Sequence, residues 1–215
     1  MIILKSLKDA KALAVLSALA IFSSTFADAS LLDPGSTITL RSAHEPEDGH
    51  LIAQTNFTFT SASFTGTLTS KVWENDESNP WGGLTFTYRL ANDSDCRESL
   101  GLFALRGFED LLTDVNYSGS GIAPRTVSRS TDGDQITFGF FNRHGDETLF
   151  PGDTSTWLVI QTGCTSWGLN QLVGLDALEV IAPAFTPAAV PEPTLATFLC
   201  LSAFVAFARL KKPRA

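Results

Sequence analysis

FTGTLTSKVW, Phe64–Trp73, puts Phe64, Leu68 and Val72 on one side of an extended chain and Thr65, Thr67, Thr69 and Lys71 on the other. Period-two alternation with threonine on one face is the signature of a half-buried strand. Leu84–Leu90 repeats it: Leu84, Phe86, Tyr88 and Leu90 alternate with Thr85, Thr87 and Arg89. Ile136, Phe138 and Phe140 alternate with Thr137 and Gly139. Trp157–Ile160 is apolar on both faces, as a central strand is. Weaker strand patterns cover Ser36–Leu40, Leu51–Phe59, Leu100–Leu105 and Ala177–Ile181.

Turn-forming clusters separate these runs, at Glu45–Gly49, Glu74–Gly83, Asn92–Asp95, Ser118–Pro124, Ser130–Asp134, Asn142–Asp146 and Pro151–Thr154. Short strands between closely spaced turns predict an all-β fold, an antiparallel β-sandwich of jelly-roll or immunoglobulin-like build. Gly107–Leu112 reads as a brief helical turn. Gln171–Val180 fits a helix through Leu172, Leu175 and Leu178, or a hairpin around Gly174; the hairpin is preferred because the other strands need partners. Ala182–Val190, APAFTPAAV, reads as an extended Pro/Ala spacer.

Charge is distributed unevenly over the 215 residues. Of 15 basic and 23 acidic residues, Lys5, Lys8, Lys11 and Asp9 lie in the first 27, and Arg209, Lys211, Lys212, Arg214 and Glu192 in the last 25. Asp28–Val190 is left with 8 basic and 21 acidic residues, net −13. A domain this acidic is a poor ligand for phosphate backbones, so nucleic acid is excluded as a partner. Three cysteines and three histidines exclude a disulfide-dense knot or a multi-zinc array.

The basic residues flank apolar segments. Lys5, Lys8 and Lys11 precede ALAVLSALAIF, Ala12–Phe22, and small residues follow to Ala27 and Ala29. That order is the pattern of a secretory signal peptide, Met1–Ala27, which implies the export machinery and signal peptidase as partners. At the other end, Thr194–Ala208 is uncharged and is followed by Arg209, Lys211, Lys212 and Arg214. As a helix it covers about 22 Å, short of the ~30 Å hydrocarbon core, and snorkelling basic side chains make up part of the difference. The basic residues act as a membrane stop on the cytoplasmic side, leaving the middle domain outside.

Between domain and helix stand Pro191, Glu192 and Pro193. The Pro-Glu-Pro motif, the short apolar helix and the basic end together resemble the PEP-CTERM sorting signal of exopolysaccharide-producing Gram-negative bacteria. The resemblance implies that an exosortase, a membrane-embedded cysteine transpeptidase-like enzyme, recognises Pro191, Glu192 and Pro193 as substrate residues. It also implies an inner-membrane intermediate with a periplasmic ectodomain, then delivery to the cell surface or matrix. FTGTLTSKVW, NPWGGLTFTYRLAND, RGFEDLLTDVNY and STWLVIQT, within Ser63–Ala182, are similar to the ectodomain type often joined to such tails. That type brings no activity with it, and Cys96 and Cys164 depart from its pattern. The expected organisation is a signal peptide at 1–27, a β-sandwich at 28–182, a spacer at 183–190 and a sorting tail at 191–215, helical over 194–208 and basic over 209–215.

Cys200 belongs to the tail, so an exported domain keeps two cysteines. In an oxidising compartment an even pair points to a Cys96–Cys164 disulfide, against two free thiols too far apart to bridge. His44-Glu-Pro-Glu-Asp-Gly-His50 reads as a solvated acidic loop rather than a zinc site, because Pro46 and Gly49 do not converge ligands. The oxygen-rich loops at Asn75–Glu77, Asp93–Asp95 and Asp132–Asp134 are weak candidates for structural calcium, set against ordinary turn chemistry. No other cofactor is implied. Gly119-Ser120-Gly121 lacks a full nucleophile elbow, and 21 acids single out no glycosidase pair. Trp73, Trp81, Tyr117 and Trp167, near strand ends, are candidates for stacking on sugar rings. The expectation is a non-enzymatic exported surface or matrix protein; the alternative is a carbohydrate-binding module acting on exopolysaccharide.

Overall fold

A computed structural model describes residues 30–40, 49–60, 64–170, 173–175, 178–180 and 182–188. The expected signal segment at 1–27, His44, Pro191-Glu192-Pro193 and the expected helix and basic end at 194–215 lie outside the described residues.

The described chain is all-β, with thirteen strands, antiparallel pairing between all neighbouring strands and no helix among the described residues. One sheet runs in the order β2 (His50–Thr60), β3 (Thr65–Glu74), β4 (Thr85–Asn92), β9 (Trp157–Thr162), β6 (Thr113–Ser118). The second runs β1 (Thr37–Thr39), β7 (Thr126–Arg129), β8 (Ile136–Gly139), β5 (Leu102–Leu105), β11 (Val173–Leu175), β12 (Leu178–Val180). β10 (Trp167–Asn170) and β13 (Ala184–Pro187) form a separate ribbon.

The alternation read from the sequence is what brings the two sheets face to face. Leu68, Val72, Phe86, Tyr88, Leu90, Leu158 and Ile160 point inward from the first sheet. Phe103, Leu105, Val127, Ile136 and Phe138 meet them from the second, in one shared core. Tyr88 and Phe103 touch across the layers with ring centroids 5.9 Å apart. Phe86 and Phe108, edge to face at 6.3 Å, close the next position. Each fully buried aromatic of this kind is worth roughly 1.5–3 kcal/mol over exposure. Close packing also fixes Gly66: a Cβ there would lie 2.3 Å from the Ala91 carbonyl oxygen and 2.6 Å from the Phe59 ring.

Arg129, at the end of β7, ties the chain's first described segment to the body. It is only 5% exposed. Its guanidinium donates to the carbonyls of Leu32 (3.0 Å), Phe108 (2.7 Å), Leu111 (2.8 Å) and Gly133 (2.9 Å), and to Thr113 Oγ1 (3.0 Å). One planar fork thereby satisfies carbonyls from three separate stretches of chain.

Three local expectations need correction. Gly107–Leu112 is not a helical turn: Gly107 (φ +101°) and Asp110 (φ +58°) leave the right-handed helical region, and a β-turn closes through the Leu111 amide on the Phe108 carbonyl at 3.3 Å. The hairpin within Gln171–Val180 is present, but Leu175 pairs with Leu178, so the chain reverses there and not at Gly174. Gly174 lies inside β11, opposite Ala104.

The third correction is the spacer. Ala184–Pro187 is extended, as expected, but it is a buried strand of the fold. The Phe185 amide donates to Ser70 Oγ at 3.1 Å, and Tyr88 donates its hydroxyl to the Phe185 carbonyl at 2.6 Å. Both anchors stand on the inner side of the five-stranded sheet. Pro183 before the strand and Pro187 at its end do not exclude it, because its backbone polar groups find side chains as well as β10.

Candidate functional site

The outward side of the five-stranded sheet carries the polar halves of the same alternating strands. Register places Lys71 beside Thr87, Thr87 beside Val159, and Val159 beside Asn116. One step along, Thr69 pairs with Arg89. Trp157 lies next on β9, opposite Ser118.

Lys71 Nζ sits 4.3 Å from the centre of the Trp157 ring and 5.5 Å from that of Trp73. The Arg89 guanidinium carbon lies 5.6 Å from the Trp157 ring. Arg89 is held in place by donating to the carbonyls of Ser155 and Ser120, each at 3.1 Å. The Trp73 indole donates to Thr87 Oγ1 at 3.0 Å. Burial, and then the charge of Arg89, hold the Lys71 ammonium below its ordinary pKa. The result is two cations and two half-buried indoles on a hydroxyl-rich face of an acidic domain. Chemically, such a face offers charge to a carboxylate or sulfate and an apolar edge to a sugar ring.

The far end of this face is acidic. Asp76 turns inward from the 75–83 loop and accepts from the Ser78 amide (3.0 Å), Thr85 Oγ1 (2.6 Å) and Gln161 Nε2 (3.0 Å). Burial pushes its pKa up, but the hydrogen bonds from Ser78, Thr85 and Gln161 outweigh that and hold it below the usual range. Gln161 stands directly opposite Asp114 on β6. Asp114 is 2% exposed, and its Oδ1 finds no hydrogen-bond partner among the described residues. Burial lifts its pKa to about 7, partly offset by the Val115 amide.

Two carboxyls flanking one glutamine, shifted in opposite directions, invite an acid–base reading. The geometry opposes it. Both Asp76 oxygens are occupied by protein donors, and Asp114 is sealed from water, so neither carboxyl is open to a substrate.

No family model, curated protein or solved structure matches this chain. The geometry is therefore the only guide to the site.

The four aromatics picked from the sequence do not share a surface. Trp73 joins the Lys71 cluster. Trp81 lies in the loop over Gly163, with its indole nitrogen buried and without a hydrogen-bond partner among the described residues. Tyr117 packs against the core from β6. Trp167 opens β10, 38% exposed, edge-on to Phe185 at 4.9 Å. Sequence reasoning missed Trp157, Lys71 and Arg89. The alternation already placed Lys71 on the polar face, but only the pairing of β4 with β9 brings Trp157 to it.

Cys96 and Cys164 are free thiols, which corrects the expected disulfide. Cys96 lies beyond the Asn92 end of β4, its sulfur 2.9 Å from both the amide nitrogen and the carbonyl oxygen of Thr65. Cys164 lies at the opposite end, where its carbonyl accepts from the Leu84 amide at 2.9 Å. The eight residue steps of strand from Leu84 to Asn92 span about 26 Å, against the ~7 Å limit for bridged Cα atoms. Burial pushes the Cys164 thiol up in pKa, moderated by its contact with Thr162 Oγ1 at 3.0 Å.

His50 pairs with Glu74 at 3.0 Å on the surface. No three metal-ligating side chains gather among the described residues. In the candidate calcium loop at 132–134, Asp132 Oδ1 accepts from Ser130 Oγ and the Asp134 amide, and Asp134 Oδ1 accepts from the Gly107 amide at 2.7 Å. The Asp132 oxygen is engaged in turn chemistry and the Asp134 oxygen in a contact with a second loop.

Proposed function

We propose that this chain is an exported, non-enzymatic cell-surface or matrix protein, delivered by a PEP-CTERM tail and processed by an exosortase. The observation that carries the reading is how near in sequence the motif follows a residue paired into the domain. Ala188 closes on Ser166 through its amide at 3.1 Å, three residues ahead of Pro191. A processing enzyme would then read Pro191-Glu192-Pro193 a short sequence distance after the domain's last paired residue, on prolines that favour extended backbone. The layered antiparallel sheets agree with a sandwich of the jelly-roll or immunoglobulin-like kind. Export would place this ectodomain in the periplasm and then on the surface.

Glu192→Ala tests the tail. The variant is exported but keeps Arg209–Ala215 and stays in the inner membrane at its larger mass. Wild-type protein that retains Arg209–Ala215 at its final location, in a host with an exosortase, overturns the proposal.

A second reading, binding to the producer's exopolysaccharide, is favoured by Lys71 and Arg89 against Trp73 and Trp157. The chemistry selects an acidic glycan over a neutral one. Lys71→Met should reduce co-sedimentation with uronate-rich polysaccharide and leave folding intact. Unchanged co-sedimentation removes this reading.

A further inference from the structure

The β10–β13 ribbon carries an apolar patch whose surroundings differ from the rest of the domain. Trp167 and Leu169 alternate on one side of β10 and are 38% and 51% exposed. Their partners across the ribbon, Pro187 and Phe185, are buried, so the two exposed side chains cap an apolar layer. The sequence around them is free of charge: Thr154–Leu175 and Ile181–Val190 contain no Asp, Glu, Lys or Arg. In a middle segment holding 21 acidic residues, such a gap lowers the repulsion from an anionic surface.

The ribbon is also where the described fold hands over to the tail. Trp167 pairs with Pro187, and Ser166 holds Ala188 through its carbonyl and its hydroxyl, both at 3.1 Å. Six residue steps separate Ala188 from Thr194, the first residue of the apolar tail segment. Fully extended they span at most about 21 Å. Any bilayer holding that segment must come within this reach of Ala188, which the ribbon holds beside Trp167. Tryptophan, with an apolar body and one polar N–H, is the residue most at home at the headgroup level.

We propose that Trp167 and Leu169 form a membrane-docking face, seated on the lipid surface beside the tail while the tail is still attached. This rests on the sorting-tail reading. Docking would restrain the domain and present the chain between Ala188 and Thr194 at a fixed height. Burying these two side chains adds an attraction that ends when the tail is cut and the tether is lost.

The full chain, carrying its tail, is reconstituted into vesicles of phosphatidylcholine brominated on its acyl chains near the headgroup. Flotation tests the tail; quenching of tryptophan emission tests the face. The expected result is flotation with partial quenching, and loss of that quenching in Trp167→Phe, which keeps an aromatic ring against Phe185. Flotation with no quenching, or with equal quenching in Trp167→Phe, overturns the docking face and leaves the tail reading standing. Failure to float overturns both. A chain ending at Val190 that self-associates through this patch, and becomes monomeric in Leu169→Ser, assigns the face to a second copy and also overturns it.

Discussion

Replacing Asp114 by asparagine should change how stability depends on pH. Asp114 is buried opposite Gln161, and its pKa is raised from 3.8 to about 7 by desolvation. The folded state therefore holds this proton more tightly than the unfolded chain does. Between about pH 4 and pH 7 the folded state carries more protons, so stability falls as pH rises. The loss is about 1.4 kcal/mol per pH unit over roughly three units, or about 4 kcal/mol, as an upper bound because water can enter as the carboxylate forms. Below pH 4 both states are protonated and the contribution is fully present; above pH 7 it is gone. The asparagine side chain cannot ionise. The stability of Asp114→Asn relative to wild type should rise from near zero at pH 4 to as much as about 4 kcal/mol at pH 8. Urea unfolding of the 28–190 domain at fixed pH values measures this difference directly. Asp76, whose shift has the opposite sign, contributes to both proteins and cancels. Parallel stability curves from pH 4 to pH 8 would refute the assignment of a buried, protonated Asp114.

Arg129→Met should cost about 3 kcal/mol or more, because it abandons four carbonyls and one hydroxyl inside the fold, and Arg129→Lys should recover less than half of it; urea midpoints check both. Tyr88→Phe removes the anchor on the Phe185 carbonyl and should cost about 1–2 kcal/mol, with faster proteolysis at 183–188 seen by mass spectrometry. Cys96 and Cys164 should both react with a thiol reagent in unfolded, unreduced protein, and Cys96→Ser should cost less than about 2 kcal/mol, whereas losing a disulfide across about 68 residues would cost about 4 kcal/mol.

The strands that the sequence revealed are those with one wet side. β3, β4 and β8 each spend alternate positions on threonine or another small or polar residue, so periodicity exposes them. β6 hides because Asp114 and Asn116 are buried alongside Val115: the residue types suggest a surface loop, while the burial is that of an interior strand. β13 hides for a related reason. All four of its residues are buried, so there is no alternation, and the prolines at 183 and 187 imitate a linker. At the candidate site, Lys71 was legible on the polar side of a strand, and Trp73 as an aromatic near its end. Arg89 reaches them through the pairing of β3 with β4, and Trp157 only through the pairing of β4 with β9, strands some seventy residues apart in sequence, which no local pattern encodes. The disulfide expectation failed on the same ground: two cysteines fix a count, but their separation is set by which ends of β4 they occupy.

The buried position of β13 also sets a clock. The ribosome releases a chain from its N-terminus, as an export channel would, so Phe185 is among the last described residues to emerge. Until it does, Ser70 and Tyr88 lack the backbone groups they hold in the finished domain. Every pairing within the two larger sheets can form earlier, yet β10 lacks its partner and this side of the core stays open to water and to chaperones. Closure waits for residues that directly precede the tail, so completion of the domain and arrival of the tail fall in the same short interval of synthesis.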